Sequence, residues 1–284
     1  MVTLEQLQDG IVHPIDTPRQ WTSFQTVNKV KAVVRNTYGL KKFKIGHAGT
    51  LDPLATGLLL VCVGKATKTI PTLQDGDKVY SGTMVFGATT PCYDLERPID
   101  NYYPYDHITP ELLQQPLPQF TGTILQVPPM FSAVKIDGQR AYEYARRDQQ
   151  GATASQSLDD PTVVIQPKPV NVYSFEITAF RPGGPVDSEP APQQPTCNSQ
   201  LSTPNSQLYK NPLGTVPAHL PQADFRIHCG KGTYIRSLAR DLGLALGSGA
   251  FLSALRREQI GPYSVADALQ LDEVEAYLTR QTPT

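Results

Sequence analysis

The segment from Lys44 to Lys68 constrains this chain most, because a glycine-rich loop leads directly into a long apolar run. Its sequence is KIGHAGTLDPLATGLLLVCVGKATK. The apolar run from Leu58 to Val63 is typical of a buried strand. A strand of this kind would anchor the loop that precedes it, so the sequence predicts a rigid loop at the start of a core strand.

That loop presents one carboxylate, Asp52, close to His47. Pro53 restricts the backbone beside the acid. The glycines around it allow positive φ angles and close backbone approach; they are Gly46, Gly49 and Gly57. Most Asp-Pro pairs are ordinary turn residues, so this loop by itself leaves a structural and a catalytic interpretation open.

Strand patterns recur at 79–86, 123–127, 170–180 and 223–229, with helical patterns between them. Ser23 is a candidate N-cap for a helix that ends at Gly39. Phe24, Val27, Val30 and Val34 fall on one face of that helix. Further short helices are expected at 141–147 and at 235–246, the latter ending near Gly243 and Gly247. Irregular alternation without a repeating βα unit predicts an α+β fold, with a mixed, largely antiparallel sheet flanked by helices.

Positive charge is concentrated locally, although the formal net charge is only −1. Between residues 29 and 68 the single acid is Asp52, against eight cations: Lys29, Lys31, Arg35, Lys41, Lys42, Lys44, Lys65 and Lys68. A solvated helix face would explain such a run. Phosphate binding would explain it equally well, and nearness to Asp52 favours that interpretation.

Other features exclude several classes of protein. The cysteines form no C-x-x-C pair, so we expect reduced thiols rather than a zinc or disulfide framework. The N-terminus lacks the pattern of a signal peptide and no apolar run could span a bilayer, so we expect a cytoplasmic protein.

Residues 181–222 contain nine prolines and few large apolar residues, which predicts a mobile insertion that contributes no core. A proline-rich partner motif is the weaker alternative for that segment.

Taken together, five segments resemble, in order, the motifs of the bacterial TruB-type tRNA pseudouridine synthases. Besides 44–68 they are DKVY at 77–80, QVPPMFSAVKIDGQRAYEYAR at 126–146, KGTYIRSLARDLG at 231–243 and LRRE at 255–258. The resemblance implies the pseudouridine synthase catalytic fold, as a single domain over 1–284 without the C-terminal PUA domain of many relatives. It also implies isomerisation of the T-loop uridine 55 of tRNA, without a metal or other cofactor.

The resemblance assigns three catalytic residues. Asp52 is the nucleophile, and attack on ribose C1′ or on the pyrimidine ring remains open. A buried Asp needs a cation to stay ionised, and Arg236 matches the family's active-site arginine. Tyr80 matches the active-site tyrosine, whose ring would stack on the target base.

Base flipping implies RNA-binding residues as well, because the target uridine lies inside a folded T-arm. By resemblance, His47 would occupy the space that the extruded base leaves. Lys68, Lys44 and Lys231 are assigned to RNA binding, and Asp94 is grouped with them although its role is open. The expected partner is the T-arm of tRNA, bound by a monomer that needs no protein partner and no membrane.

Two positions depart from the family's early motif: Thr17 stands where Lys is usual, and Gln20 stands where Gly is usual. These departures bear on a structural or RNA-contacting role rather than on the nucleophile. The alternatives from other classes are a tRNA-binding chaperone without catalysis, and a glycosidase or nucleosidase. The first is disfavoured by the intact set of Asp52, Tyr80 and Arg236, and the second because it would usually need two carboxylates.

Overall fold

The computed structural model describes residues 2–132, 134–136, 139–140, 165–184 and 215–279. Along these residues the α-helices are α1 (Leu4–Asp9), α2 (Ser23–Tyr38), α3 (Ile70–Asp75), α4 (Pro110–Gln114), α5 (Ile235–Ala245) and α6 (Val274–Thr279). Short 3₁₀ turns lie at Gly64–Thr69, Leu117–Phe120 and Val265–Asp267. The helix expected at 141–147 and most of the proline-rich segment at 181–222 lie outside the described residues.

The described strands alternate with these helices. They are β1 (Ile11–Thr17), β2 (Ile45–His47), β3 (Thr56–Val63), β4 (Lys78–Phe86), β5 (Ala88–Thr89), β6 (Asn101–Tyr102), β7 (Gly122–Gln126), β8 (Lys135–Ile136), β9 (Gln139–Arg140), β10 (Lys168–Arg181), β11 (Gln222–Cys229), β12 (Ala250–Ile260), β13 (Tyr263–Ser264) and β14 (Leu269–Gln270). The four strands predicted from alternation correspond to β4, β7, β10 and β11, so those predictions are confirmed.

The main sheet has the order β14-β1-β3-β12-β4-β11-β10-β7, with β13 paired to β12 and β2 paired to β3. β1 and β2 are antiparallel to β3, and β7 is antiparallel to β10. β1 is parallel to β14, and β3 is parallel to β12. The mixed, largely antiparallel sheet with helices confirms the predicted α+β class.

The chain divides into two compact units, Met1–Gly82 with Arg226–Lys231 and Ala254–Thr284, and Thr83–Phe225 with Gly232–Ser253. The single catalytic domain expected over 1–284 stays a prediction. Among the described residues, no helix is both long and apolar enough to cross a lipid bilayer.

In the first unit β3 is buried on both faces, as its unbroken apolar sequence predicts. Leu59, Val61 and Val63 pack into a cluster with the valines of α2 and with α6. Leu58 and Leu60 face the other way and pack with Ile260 of β12. Because both faces of β3 are fixed by core packing, the loop before it starts from a rigid base.

Helix α2 corrects two predictions about its first turn. Its N-cap is Thr22, not Ser23: the Thr22 hydroxyl accepts from the Gln25 backbone N–H, and the Gln25 side chain accepts from the Thr22 backbone in return. Phe24, expected on the apolar face, is 70% exposed. Ser23 and Thr26 of the same first turn are buried, so the packed face lies on their side of the helix and Phe24 points away from it. Gly39 ends the helix with φ of 64°, as predicted.

Candidate active site

The Asp52 loop is fixed by backbone contacts at several points along its length. The Ala55 N–H donates to the Asp52 carbonyl at 3.0 Å, which closes a tight turn around Pro53. The Leu51 N–H donates to the Ser23 hydroxyl at 2.9 Å, and Ser23 is itself buried at the start of α2. The residue before the nucleophile candidate is therefore tied to a core helix.

The positive φ angles predicted for the glycines of this loop occur at two of the three positions. Gly49 and Gly57 have φ of 95° and 103°. A Cβ on Gly57 would lie 2.3 Å from the Arg257 carbonyl oxygen, because β3 and β12 approach closely at that pair. Gly46 has no positive φ and is instead a strand residue in β2, where a Cβ would meet the Ile70 side chain at 2.9 Å.

The two departures from the family's early motif lie next to this loop or inside the core. Gln20 adopts φ of 70°, a backbone conformation that favours glycine, and its N–H donates to the Pro53 carbonyl at 2.8 Å. Thr17 is fully buried, and its Oγ1 makes no hydrogen bond to any described residue. Gln20 thus carries backbone strain where glycine would carry little, while keeping a contact that holds the loop.

Tyr80 lies on β4 in the first unit, near enough to Asp52 for the two groups to interact electrostatically. Burial raises the pKa of the Tyr80 phenol, and the negative charge of Asp52 raises it further. The positive charge of Arg257 and its side-chain hydrogen bonding to the phenol oppose this rise, and the effect of the Arg257 charge on the pKa is larger than that of Asp52. The structure therefore brings together two of the three predicted catalytic residues and adds a third group, Arg257, to which the sequence had assigned no role.

Arg257 is one of the largest fully buried side chains, with 2% of its surface exposed. Its Nε donates to the Leu58 carbonyl at 2.7 Å, and its Nη1 and Nη2 donate to the Thr50 and Gly49 carbonyls at 3.2 Å. These acceptors lie on both sides of Asp52 in the sequence. The LRRE motif contains this residue, but a pair of adjacent arginines does not tell which one points inward.

His47 ends β2, which pairs with β3 so that His47 is opposite Val61. Its Nδ1 is buried and finds no hydrogen-bond partner among the described residues. Burial lowers the pKa of His47, interaction with the Gly49 backbone partly opposes this, and the positive charge of Arg257 lowers the pKa further. The ring is therefore held in its neutral form near neutral pH.

The predicted RNA-binding lysines of the first unit are all exposed: Lys44, Lys68 and Lys231. Lys68 lies in the 3₁₀ turn that follows β3. Lys231 forms an exposed ion pair with Asp75 at 2.6 Å and holds the pKa of that carboxyl below its usual value. An exposed pair of this kind contributes little to stability, so Lys231 can exchange Asp75 for a phosphate at small cost.

Arg236 lies in the second unit, in the first turn of α5, and is 5% exposed. Its Nη1 donates to the Cys92 carbonyl at 3.1 Å and its Nη2 to the Phe131 carbonyl at 2.9 Å. Its Nε lies 3.8 Å from the Asp94 carboxylate. The guanidinium orientation is thus fixed by three described groups, and the predicted pairing of Arg236 with Asp52 stays a prediction.

Asp94 is buried rather than presented at the surface, with 7% exposure. Its carboxylate accepts from the Glu96 N–H at 2.9 Å on one side and faces Arg236 on the other. This geometry gives Asp94 a place in orienting Arg236. Contact with RNA, the role grouped with it from the sequence, stays a prediction.

Gln126, in the QVPP motif, was not singled out from the sequence, yet it fixes the start of α5. Its amide nitrogen donates to the Tyr234 carbonyl at 3.1 Å, and its amide oxygen accepts from the Tyr234 N–H at 2.8 Å. Ser237 adds a bond from its hydroxyl to the Val127 carbonyl at 2.9 Å. Two family-like motifs, 126–146 and 231–243, thus meet around the start of the helix that carries Arg236.

The described residues contain no group of three or more His, Cys, Asp or Glu side chains arranged to hold a metal ion. Cys62, Cys92 and Cys229 are free thiols, while Cys197 lies outside the described residues. The carboxylate of Asp52 and the phenol of Tyr80, with Arg257 beside them, suit nucleophilic attack and proton transfer.

Solved structures agree with this chain on the fold. A Cbf5 chain from a Cbf5-Nop10-Gar1 complex matches with a TM-score of 0.56 and 25% identity, covering 95% of this chain and 55% of that chain. The structure of an H/ACA RNP bound to a substrate RNA containing 2'-deoxyuridine matches with a TM-score of 0.54 and 22% identity, over 97% and 55%. The chain thus spans about half the length of these solved chains.

Two family models and several curated relatives match the chain. Residues 35–187 match the N-terminal domain of the TruB family pseudouridylate synthases, and residues 236–284 match the tRNA pseudouridylate synthase B C-terminal domain. A curated relative, tRNA pseudouridine synthase B of Flavobacterium johnsoniae, is 44% identical over 278 residues, which cover 98% of this chain and 100% of the relative. The protein of the same name from Phocaeicola vulgatus is 39% identical, over 96% of this chain and 95% of its own. The chain therefore belongs to the TruB family of pseudouridylate synthases.

Proposed function

We propose that this protein is a tRNA pseudouridine synthase that isomerises uridine 55 in the T-loop of tRNA. The observation that carries the proposal is the Asp52 loop, whose backbone is fixed to core elements through Leu51, Ala55 and the Arg257 guanidinium, with Tyr80 close enough for the Asp52 charge to act on its phenol. Family membership and the names of the 44% and 39% identical relatives support the reaction class and the tRNA substrate.

The reaction breaks the bond between ribose C1′ and N1 and forms a bond between C1′ and C5. The base loses the proton at C5 and gains one at N1, so no oxidant or reductant is consumed. In this proposal the Asp52 carboxylate attacks either C1′ or the pyrimidine ring and is released when the new glycosidic bond has formed. The Tyr80 ring stacks on the detached base while its hydroxyl lies near the C5 proton.

Arg236 keeps the role that its motif suggests, as the cation that stabilises ionised Asp52. Its guanidinium is suited to this role because carbonyls and Asp94 fix its orientation before substrate arrives. Asp94 then acts through Arg236 rather than on the substrate.

Substrate binding is proposed to use the exposed cations and His47. Lys44, Lys68 and Lys231 lie at the surface of the first unit, where they would contact phosphates. A neutral His47 ring can stack where the flipped uridine had been without bringing a charge into the RNA helix. We further propose that the protein acts as a monomer in the cytoplasm.

Replacement of Asp52 by Asn tests the proposal directly. The amide keeps the size of the carboxylate and one acceptor oxygen but is not a nucleophile, so we expect pseudouridine formation to fall by more than about a thousandfold. The affinity for tRNA, measured by filter binding, should stay within about threefold of wild type, because phosphate contacts dominate it. Turnover near the wild-type rate would remove Asp52 from the mechanism.

A further inference from the structure

Arg257 touches both ends of the Asp52 loop at once. Its guanidinium donates to Gly49 and Thr50 before the acid and to Leu58 after it. Its backbone pairs with Gly57, where the absence of a side chain lets the two strands approach. One residue thus closes the segment 49–58 into a loop with Asp52 near its middle.

Burial of an arginine at this position costs free energy, which only the hydrogen bonds of its guanidinium can offset. A buried cation loses its hydration, and its donors must then find acceptors inside the protein. The planar guanidinium offers five N–H donors in a fixed fork, and here three different backbone carbonyls accept from it. A lysine carries the same charge but cannot reach three carbonyls in this planar arrangement.

The neighbouring residue, Arg256, carries the same charge but has different partners. Arg256 lies on the opposite face of β12, is about a third exposed, and pairs with Asp16 at 2.7 Å. It also has a long contact, 3.4 Å, with the Thr56 hydroxyl at the start of β3. The two arginines are adjacent in sequence and equally charged, but only Arg257 binds described carbonyls on both sides of Asp52. Arg256 therefore provides a matched control.

The charge of Arg257 also acts on the groups around the acid. It opposes the rise in the pKa of Tyr80 and lowers the pKa of His47. The guanidinium therefore lies close to the nucleophile loop, the aromatic residue and the imidazole proposed to enter the RNA. Movement of this side chain would affect all three.

We infer that Arg257 is a positioning residue of the reaction, which sets the Asp52 carboxylate relative to Tyr80 by holding both ends of the loop. The inference rests on the proposed function, since that function assigns Asp52 and Tyr80 to the chemistry. Arg257 acts through the loop and is not assigned a contact with any reacting atom. Small displacements of a nucleophile reduce the rate of the chemical step far more than they reduce substrate affinity.

The test compares Arg257→Lys with Arg256→Lys under single-turnover conditions on unmodified tRNA. We expect the rate constant for product formation to fall at least about tenfold in Arg257→Lys, with the tRNA concentration for half-maximal rate changed less than about threefold. Arg256→Lys should keep both within about threefold of wild type. Assays run well below the melting temperature of each variant separate positioning from loss of fold. A folded Arg257→Lys variant with the wild-type rate overturns the inference.

A measurement on the wild-type protein covers the case in which Arg257→Lys does not fold. Amide hydrogen exchange should protect Leu51 and Ala55 to within about tenfold of the β3 amides, because both ends of the loop are clamped. Exchange at the rate of an open surface loop overturns the inference. Failure of the proposed function looks different, since wild-type protein would then yield no pseudouridine at all, and the inference would fall with it.

Discussion

At the scale of single residues, a buried polar group is informative because it must either form hydrogen bonds inside the protein or have another reason to be buried. Arg257 is satisfied by three carbonyls, and Arg236 by two carbonyls and Asp94. His13 is different: it is 4% exposed, and its Nε2 finds no partner among the described residues. Its ring makes an edge-on contact with Tyr277. This histidine should therefore influence how stability depends on pH.

Burial lowers the pKa of His13 to about 4 from 6.5. Since the unfolded chain binds this proton at a higher pH than the folded protein, acidification favours unfolding. The contribution to stability is full above pH 6.5 and declines below it. Once the pH passes 4, up to about 3 kcal/mol has been lost from this residue. His13→Phe keeps a ring against Tyr277 but cannot bind the proton.

Urea unfolding of both proteins from about pH 7.5 down to about pH 4 measures the effect. The wild-type free energy of unfolding should fall more steeply with acid than that of His13→Phe, with the difference developing below pH 6.5. Parallel curves for the two proteins would show that His13 is not held neutral in the fold.

At the scale of elements, the Asp52 loop depends on a close crossing of β3 and β12. Gly57 combines φ of 103° with a Cβ position only 2.3 Å from the Arg257 carbonyl oxygen. Gly57→Ala should therefore cost roughly 3 kcal/mol or more of unfolding free energy, because strands packed on both sides cannot separate cheaply.

Gly122 is the matched control, since its φ is 88° but no described atom lies within 4 Å of the place where a Cβ would stand. Gly122→Ala should cost only about 1–2 kcal/mol, the strain of a left-handed alanine. Urea denaturation gives both values. Equal costs would mean that backbone strain alone, and not the strand crossing, requires glycine at position 57.

The helices and strands show how much of the fold the local sequence pattern predicts. Period-two alternation found β4, β7, β10 and β11 to within a residue or two of their ends. Burial follows the alternation in β11, but in β4 the consecutive residues Met84, Val85 and Phe86 are all buried, which the alternation does not predict. The N-cap of α2 was placed one residue late, since Thr22 and Ser23 are both good caps and the reciprocal contact with Gln25 decides between them. Phe24 is exposed because the buried face of α2 includes the polar residues Ser23 and Thr26, which a pattern of apolar residues alone leaves out.

Contiguity in the sequence decided what could be predicted at the candidate site. Asp52, His47 and the glycines lie in one continuous motif, so the sequence located them. Arg257 was missed because its importance arises from register: it pairs with Gly57, which is far earlier in the chain. Alternation along β12 predicts that one of Arg256 and Arg257 points inward. The pairing with β3 decides which.

At the scale of the whole molecule, charge distribution matters more than net charge. The formal net charge of −1 gives no sign of a nucleic-acid partner. The eight cations between residues 29 and 68 are nevertheless all exposed. Local charge of this kind attracts a polyanion even when the whole chain is nearly neutral, which is consistent with a tRNA substrate.

The most direct measurement is a map of pseudouridine at single-nucleotide resolution in an unmodified tRNA transcript after incubation with wild-type protein. We expect product at uridine 55 of the T-loop and at no other uridine. Product at other uridines with none at position 55, or no product while tRNA remains bound, would contradict the proposed function.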